Sequence, residues 1–187
     1  MPAIIVYAED CVLSGSLDLG RARLSDLLND RTELDLTAVV VTSLVDDHVV
    51  GLPELVVAAD EILAVEVDGA RGDPGRRRRT RQFPLMARLG PYIVRGSFHA
   101  LPGADPLDSF ARRATFVPLT DASVEFAVAD EVRRHYADAV LVNRELADEV
   151  DVIKDQIRVP EIHFRTAPHR LRAKDLTYDV EASTRER

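Results

Sequence analysis

An internal repeat constrains the fold of this chain more than any other feature of its sequence. Residues 24–65 align with residues 107–148 without a gap, and residues 11–17 align with residues 92–98. A chain with such self-similarity is expected to build the same structural unit twice. The identical pairs include Leu24 and Leu107, Thr37 and Thr120, and Val41 and Val124.

The repeat divides the chain into two predicted domains. The first is expected at residues 1–67 and the second at residues 83–153. Residues 68–82 between them are rich in Gly, Pro and Arg and have no hydrophobic period, which predicts an exposed linker. Residues 154–187 are mostly polar, so we expect a C-terminal extension that is partly disordered.

The first strongly patterned segment of each copy predicts a half-buried β-strand. CVLSGSLDL, residues 11–19, alternates apolar and polar residues, and YIVRGSF, residues 92–98, repeats the alternation. Gly15 and Gly96 fall in the inward row, where the missing side chain suits a close approach of two backbones.

The next strand of each copy changes phase in the same place. In the first copy apolar and polar residues alternate up to Thr37, and after it the alternation continues with its phase shifted by one residue. The second copy shows the same shift at Thr120. A shared change of phase predicts a β-bulge in each copy that turns the following side chains to the other face.

A short helix is predicted between the second and third strands of each copy. Leu24, Leu27 and Leu28 have the spacing of one buried helical face. In the second copy Asp105 is a favourable N-cap and is followed by proline. We expect each helix to cover the open end of a barrel. The matching buried positions are expected to be Leu107, Phe110 and Ala111.

These patterns predict an all-β protein. Each copy offers about five short strands with tight connections and no regularly alternating helices. The fold favoured by the sequence is therefore two tandem copies of a small SH3-like or Sm-like β-barrel or roll, each with its helical insert. A split sandwich built jointly by both copies is the alternative.

The first copy also resembles a known family. RLSDLLND, residues 23–30, follows LSGSLDL and precedes LDLTAVVV and EILAV. This arrangement resembles a group of small bacterial β-domain proteins that carry an Arg-Leu-Ser-Asp-Ile/Leu-Leu-Asn signature and have no known function. The resemblance covers residues 3–67 and, more weakly, residues 85–150, where PLDSFARR departs from the signature. It implies the fold and a prokaryotic origin, and it implies no reaction.

Composition narrows the class of protein. The 187 residues carry a formal net charge of -8 and one cysteine, so no disulfide can form within the chain. The N-terminal MPAIIVYAED lacks the basic and apolar regions of a signal peptide, and no apolar run is long enough to span a bilayer. We therefore expect a cytoplasmic protein with no membrane partner, and a buried structural thiol at Cys11.

The sequence contains no recognisable catalytic set. None of the histidines pairs at helical spacing, and a single cysteine gives no zinc motif. We therefore predict that the chain is not an enzyme and has no cofactor, catalytic or metal-binding residue. The histidines are His48, His99, His135, His163 and His169.

Two groups of charged residues are the candidate interaction sites. One is the helical insert of the first copy, and the other is the arginine run of the linker, which could contact phosphates without reading a base sequence. The acidic charge of the remaining chain and the lack of nearby aromatic residues for base stacking favour a protein partner or a homo-oligomer. The candidates are Arg21, Arg23, Asp26, Arg76, Arg77, Arg78, Arg79 and Arg81.

The predicted function is therefore a non-enzymatic scaffold or regulatory adaptor that acts through protein–protein contacts or self-assembly. The alternative is nucleotide or nucleic-acid binding through the arginine-rich linker and the adjoining barrel face. In this alternative the chain resembles the PilZ domain, which binds a cyclic dinucleotide. Arg77 and Arg81 fit its first motif and Asp121 and Ser123 begin its second, but Phe126 replaces the final glycine.

Overall fold

Ten β-strands and two short α-helices form the regular structure of the described residues, which are 2–20, 22–67 and 80–153 of this computed structural model. Two single 3-10 turns, Ala59–Glu61 and Arg144–Leu146, accompany them. The elements are β1 (Ala3–Tyr7), β2 (Cys11–Leu17), α1 (Leu24–Asp30), β3 (Glu33–Ser43), β4 (Val49–Ala58), β5 (Ala64–Val67), β6 (Arg81–Leu89), β7 (Tyr92–Ala100), α2 (Pro106–Ala111), β8 (Phe116–Val128), β9 (Glu131–Asn143) and β10 (Glu149–Val152).

The same order of elements occurs twice along the chain. Two strands, a helix, two strands, a 3-10 turn and a fifth strand make up each half. The all-β class, the five strands of each copy and the place of each helix were predicted correctly. β6 begins at Arg81, inside the range predicted as linker, while residues 68–79 and 154–187 lie outside the described residues.

All ten strands form one antiparallel sheet in the order β10-β6-β7-β8-β9-β5-β1-β2-β3-β4. Within each half the fifth strand lies beside the first, and the remaining strands follow in a meander. The two halves join where β5 pairs with β9. The sheet is not closed, because β10 and β4 lie at its two ends. By its contacts, the described part of the chain belongs to one compact unit.

The hairpin between the third and fourth strands differs in length between the halves. β3 has 11 residues and β8 has 13. Val57 pairs with Leu34, and in the second half Val142 pairs with Val117, the residue that matches Leu34. The structural counterpart of Val57 is therefore Val142 and not Val140. The gapless sequence alignment is wrong after this hairpin, because the second copy has two more residues there.

Both predicted β-bulges are present. The register between the second and third strands shifts opposite Gly15 in the first half and opposite Gly96 in the second. Ala38 and Asp121, at the matching positions of β3 and β8, both have a φ of 49°. These left-handed residues turn the strands and account for the change of phase seen in the sequence.

The inward glycines lie where two backbones approach closely, as predicted. A Cβ atom at Gly15 would lie 3.2 Å from the carbonyl oxygen of Thr37, and one at Gly96 would lie 3.2 Å from that of Thr120. Gly96 is more crowded, because the added Cβ would also lie 2.9 Å from the Cβ of Leu119.

Each half has its own apolar core, and the two cores share residues at the junction. Tyr7 of β1 lies in the core of the second half, with its ring centroid 5.2 Å from that of Tyr92. Phe116 of β8 and Leu141 of β9 lie in the core of the first half. The halves are thus held together by exchanged apolar side chains as well as by the β5–β9 ladder.

The two helices pack differently. The three leucines of α1 are buried as predicted, because α1 also contacts β8 of the second half. α2 is capped by Asp105 as predicted, but only its Phe110 is buried. The predicted burial of Leu107 and Ala111 is wrong, because α2 has six residues and packs mainly against β7 and β10 of its own half.

Candidate interaction surface

The structure separates the interaction residues predicted from the sequence. Arg23 and Asp26 are exposed at the N-terminal turn of α1, whereas Arg81 is exposed at the start of β6 in the other half. The Arg81 guanidinium lies 5.5 Å from the centroid of the Phe83 ring. In the described part of the chain, no side-chain hydrogen bond or ion pair joins these three residues; Arg23 and Asp26 share only the backbone bond of the first turn, from the N–H of Asp26 to the carbonyl of Arg23. The other candidates, Arg21 and Arg76 to Arg79, lie outside the described residues.

The residue of α1 that contacts the other half through hydrogen bonds is Asn29, which the sequence analysis did not single out. Its Oδ1 accepts a hydrogen bond of 2.9 Å from the backbone N–H of Phe116, and its Nδ2 donates one of 3.3 Å to the Phe116 carbonyl. One amide therefore satisfies both backbone groups of a residue in the other half, as a neighbouring strand would. α1 is thus a clamp between the halves.

A buried polar cluster lies beside the junction. The Tyr7 hydroxyl donates a hydrogen bond of 2.9 Å to Oε2 of Glu66 and lies 3.2 Å from Nδ1 of His135. Since the phenol proton goes to Glu66, Nδ1 of His135 must be the donor to the phenol oxygen. Burial, and then the Glu66 carboxylate, raise the pKa of Tyr7 well above its usual range. The phenol therefore stays protonated and acts as a hydrogen-bond donor.

This cluster connects three strands and has a structural role. Tyr7, Glu66 and His135 come from β1, β5 and β9, and Glu66 is only 7% exposed. The sequence did not reveal it, because scattered acidic residues on strands usually face solvent. The one available signal is that Glu66 interrupts the apolar run of β5, whose neighbours on both sides are core strands.

Cys11 was predicted to be a buried structural thiol; it is half-buried and packs against the core of the first half. It is the first residue of β2, where the strand emerges from the core. Burial, and then a hydrogen bond with Asp10, raise the pKa of the Cys11 thiol to about 11. A raised pKa disfavours the thiolate, so the site does not activate a nucleophile.

An open groove of about 400 Å³ runs over β1 and β2 beside the first bulge. Ser14 and Ser16 contribute to its wall, and Glu66 lies at one side. The Glu66 carboxylate already accepts the hydrogen bond from Tyr7. Within residues 2–20, 22–67 and 80–153, no group of three or more His, Cys, Asp or Glu side chains is placed to hold a metal ion.

The outer edge of β4 is the longest accessible strand edge of the described structure. β4 has ten residues and pairs with β3 on one side only. Val49 is 55% exposed and Val56 is 57% exposed. Pro53 lies between them and has no backbone N–H. The edge strand therefore has exposed valines on both sides of Pro53.

The other end of the sheet is β10, which is short and acidic. It pairs with β6, and its exposed residues Glu149 and Asp151 alternate with half-buried Val150 and Val152. Glu149 forms an exposed ion pair of 3.5 Å with Arg88. An exposed ion pair of this kind contributes little to stability. The backbone of β10 on its unpaired side is therefore the main feature of this edge.

Comparison with protein-family models, curated protein sequences and solved structures found no match. The resemblance to the bacterial β-domain family therefore stays a prediction. Within the described ranges, neither helix is long and apolar enough to cross a bilayer.

Proposed function

We propose that this chain is a non-enzymatic, cytoplasmic adaptor or scaffold that acts through protein–protein contacts. In this proposal each half is an SH3-like or Sm-like roll, and the outer edge of β4 is the binding element. The observation that carries the proposal is a ten-residue strand with one unpaired edge and exposed valines. Backbone N–H and C=O groups on such an edge accept an added strand, and the side chains beside it give specificity.

The exposed valines of β4 support a surface that a bound partner covers. Val56 and Val49 are more than half exposed on a strand that also carries Val50, 41% exposed. Apolar side chains clustered along an open strand edge favour aggregation unless a partner covers them or the chain blocks the edge. Pro53 and Glu54 restrict uncontrolled pairing, so the edge has the features of a regulated contact.

Photo-crosslinking in cells that produce the protein tests this proposal. A benzophenone amino acid placed at Val56 is expected to form discrete covalent protein adducts on irradiation, because β4 is then in contact with a partner. The matched control is the same amino acid at Val132, which is 73% exposed on β9, a strand that does not pair with β4. If Val56 and Val132 give the same weak, diffuse adducts, the proposed role of β4 is wrong.

Nucleotide or nucleic-acid binding through the linker stays a prediction. Its main residues, Arg76 to Arg79, lie outside the described residues, and Arg81 packs against Phe83.

A further inference from the structure

The junction inside the chain shows how one half of this protein joins another. β5 of the first half pairs antiparallel with β9 of the second, with Val65 opposite Leu141. By order in the sheet, the strand of the second half that matches β5 is β10, and the strand of the first half that matches β9 is β4. These two strands are the two ends of the sheet. β5 and β9 are therefore paired within the chain, whereas their counterparts, β10 and β4, each have an unpaired edge.

The hydrogen-bonded registers identify the equivalent residues. Tyr7 pairs with Ala64 in the first half, and Arg88, which holds the place of Tyr7, pairs with Glu149. One residue further along, Val150 of β10 is therefore the counterpart of Val65 of β5. On the other strand, Val142 is the counterpart of Val57, so Val56 is the counterpart of Leu141.

The exposure of these counterparts differs sharply. Leu141 is 6% exposed and lies in the core of the first half together with Val65. Val56 holds the same place on β4 and is 57% exposed. Val150 holds the same place as Val65 and is half-buried against the core of the second half. An exposed valine on β4 and a half-buried valine on β10 thus hold the places of two residues that are buried at the internal junction.

The backbone of β4 is oriented for this contact. The N–H of Ala59 donates to the carbonyl of Thr32 across the β3–β4 pair. The hydrogen-bonding direction of the backbone alternates along an antiparallel strand. The N–H and C=O groups of Val57 therefore point towards β3, and those of Val56 point towards the open edge. On β9 the N–H of Asn143 points towards the first half and donates to the Leu63 carbonyl. The backbone groups of Leu141, two residues earlier, therefore point towards the first half as well.

We propose that β4 of one molecule pairs antiparallel with β10 of a second copy, with Val56 opposite Val150, and that this contact joins copies head to tail. The inference rests on the proposed function and names the partner of the β4 edge. Two different edges meet in this contact, so it is heterologous and continues from copy to copy unless a ring closes.

Charge complementarity supports the same arrangement. In the internal junction, Phe116 at the start of β8 meets α1 through Asn29. The residue at the start of β3 is Glu33, which is exposed, and the helix of the second half is followed by the exposed Arg112 and Arg113. In the contact between two copies, Glu33 would take the place of Phe116, and α2 would take the place of α1. The basic residues that follow α2 would then lie near an acidic residue, which is a favourable pairing of charges.

The short length of β10 sets the length of the contact. β5 is a four-residue strand that pairs with only a short part of β9, residues 140–142. The counterparts of residues 140–142 in β4 are residues 55–57, which lie beyond Pro53. β10 also has four residues, so it can pair only with this part of β4.

Two single-cysteine variants test the proposed register. In a Cys11→Ser background, Val56→Cys and Val150→Cys are purified separately, and mild oxidation is followed on non-reducing gels. We expect a disulfide-linked heterodimer when the two variants are mixed, at a yield at least tenfold above that of either variant alone. Opposed residues of an antiparallel pair have the Cα separation that a disulfide needs. Val132→Cys mixed with Val150→Cys is the matched control.

The outcomes separate the inference from the function on which it rests. An efficient Val56→Cys homodimer would show that β4 pairs with β4, which overturns the head-to-tail inference and leaves β4 as a binding edge. No cross-linking above the control at high micromolar concentration would overturn the inference alone. The function fails separately, if Val56 also gives no specific adducts in cells.

Sedimentation velocity provides a measurement that does not depend on cysteine. Val56→Lys is expected to weaken self-association of the full chain at least tenfold, because a charge replaces the side chain that becomes covered. Val132→Lys adds the same charge at another exposed valine and is expected to leave self-association unchanged. Equal effects of the two substitutions would overturn the inference.

Discussion

Removing the Asn29 side chain tests whether α1 clamps the two halves together. In Asn29→Ala, the hydrogen bonds of 2.9 Å and 3.3 Å to the backbone of Phe116 are lost, together with one of 2.6 Å to the Ser25 carbonyl within α1. Each bond to Phe116 is worth about 1 kcal/mol net, since water can reach this partly buried site and replace part of the bonding, whereas water fully replaces the exposed bond to Ser25. Alanine has a more favourable helix propensity than asparagine, which offsets about 0.5 kcal/mol of this loss. We therefore expect a loss of about 1.5 kcal/mol in the free energy of unfolding.

The assay is urea unfolding monitored by circular dichroism, supported by thermal unfolding. For a unit of this size the same loss lowers Tm by about 3 to 6 °C. Asp30→Ala is the matched control, because Asp30 is the next exposed residue of α1 and, within the described residues, its side chain makes no hydrogen bond to β8. The control is expected to change stability by less than about 0.5 kcal/mol. Equal stabilities of the two variants would refute the clamp.

Two further predictions concern the second strand of each half. Gly96→Ala is expected to cost about 2 kcal/mol in unfolding free energy and Gly15→Ala under 1 kcal/mol, because the new Cβ at Gly96 would lie 2.9 Å from the Cβ of Leu119; equal losses in urea unfolding would contradict this. Cys11 is expected to reach half of its maximal rate of alkylation by iodoacetamide near pH 11, because burial raises the pKa of its thiol to about 11 and the thiolate is the reactive form. A midpoint at the value of an exposed cysteine would show that the thiol is not shielded.

Local patterns predicted most of each half correctly. Alternation in residues 11–17 and 92–98 reports β2 and β7, and the phase change after Thr37 reports the bulge at Ala38. These features are visible because side-chain direction along a strand follows the backbone alone. The leucines of α1 were found for the same reason, since helical spacing places them on one face.

The relation between the halves was not predictable from the same patterns. The β5–β9 ladder joins residues far apart in the sequence, and nothing in the four residues of β5 distinguishes an edge strand from a central one. The failed prediction for α2 has this origin as well. Leu107 has the spacing of a buried residue, but burial depends on a neighbour that α1 has and α2 lacks. The polar cluster around Tyr7 also depends on β9.

The place of β5 in the sheet has a consequence for how the chain folds. Its two neighbours, β1 and β9, come from opposite ends of the described chain, so the β9 side of β5 stays open until the second half has formed. During refolding at high concentration, β9 of a different molecule can fill that place and produce a domain-swapped dimer with the same internal junction. Such a dimer would be kinetically trapped, because its release requires the exchanged Phe116 and Leu141 to leave the core that holds them.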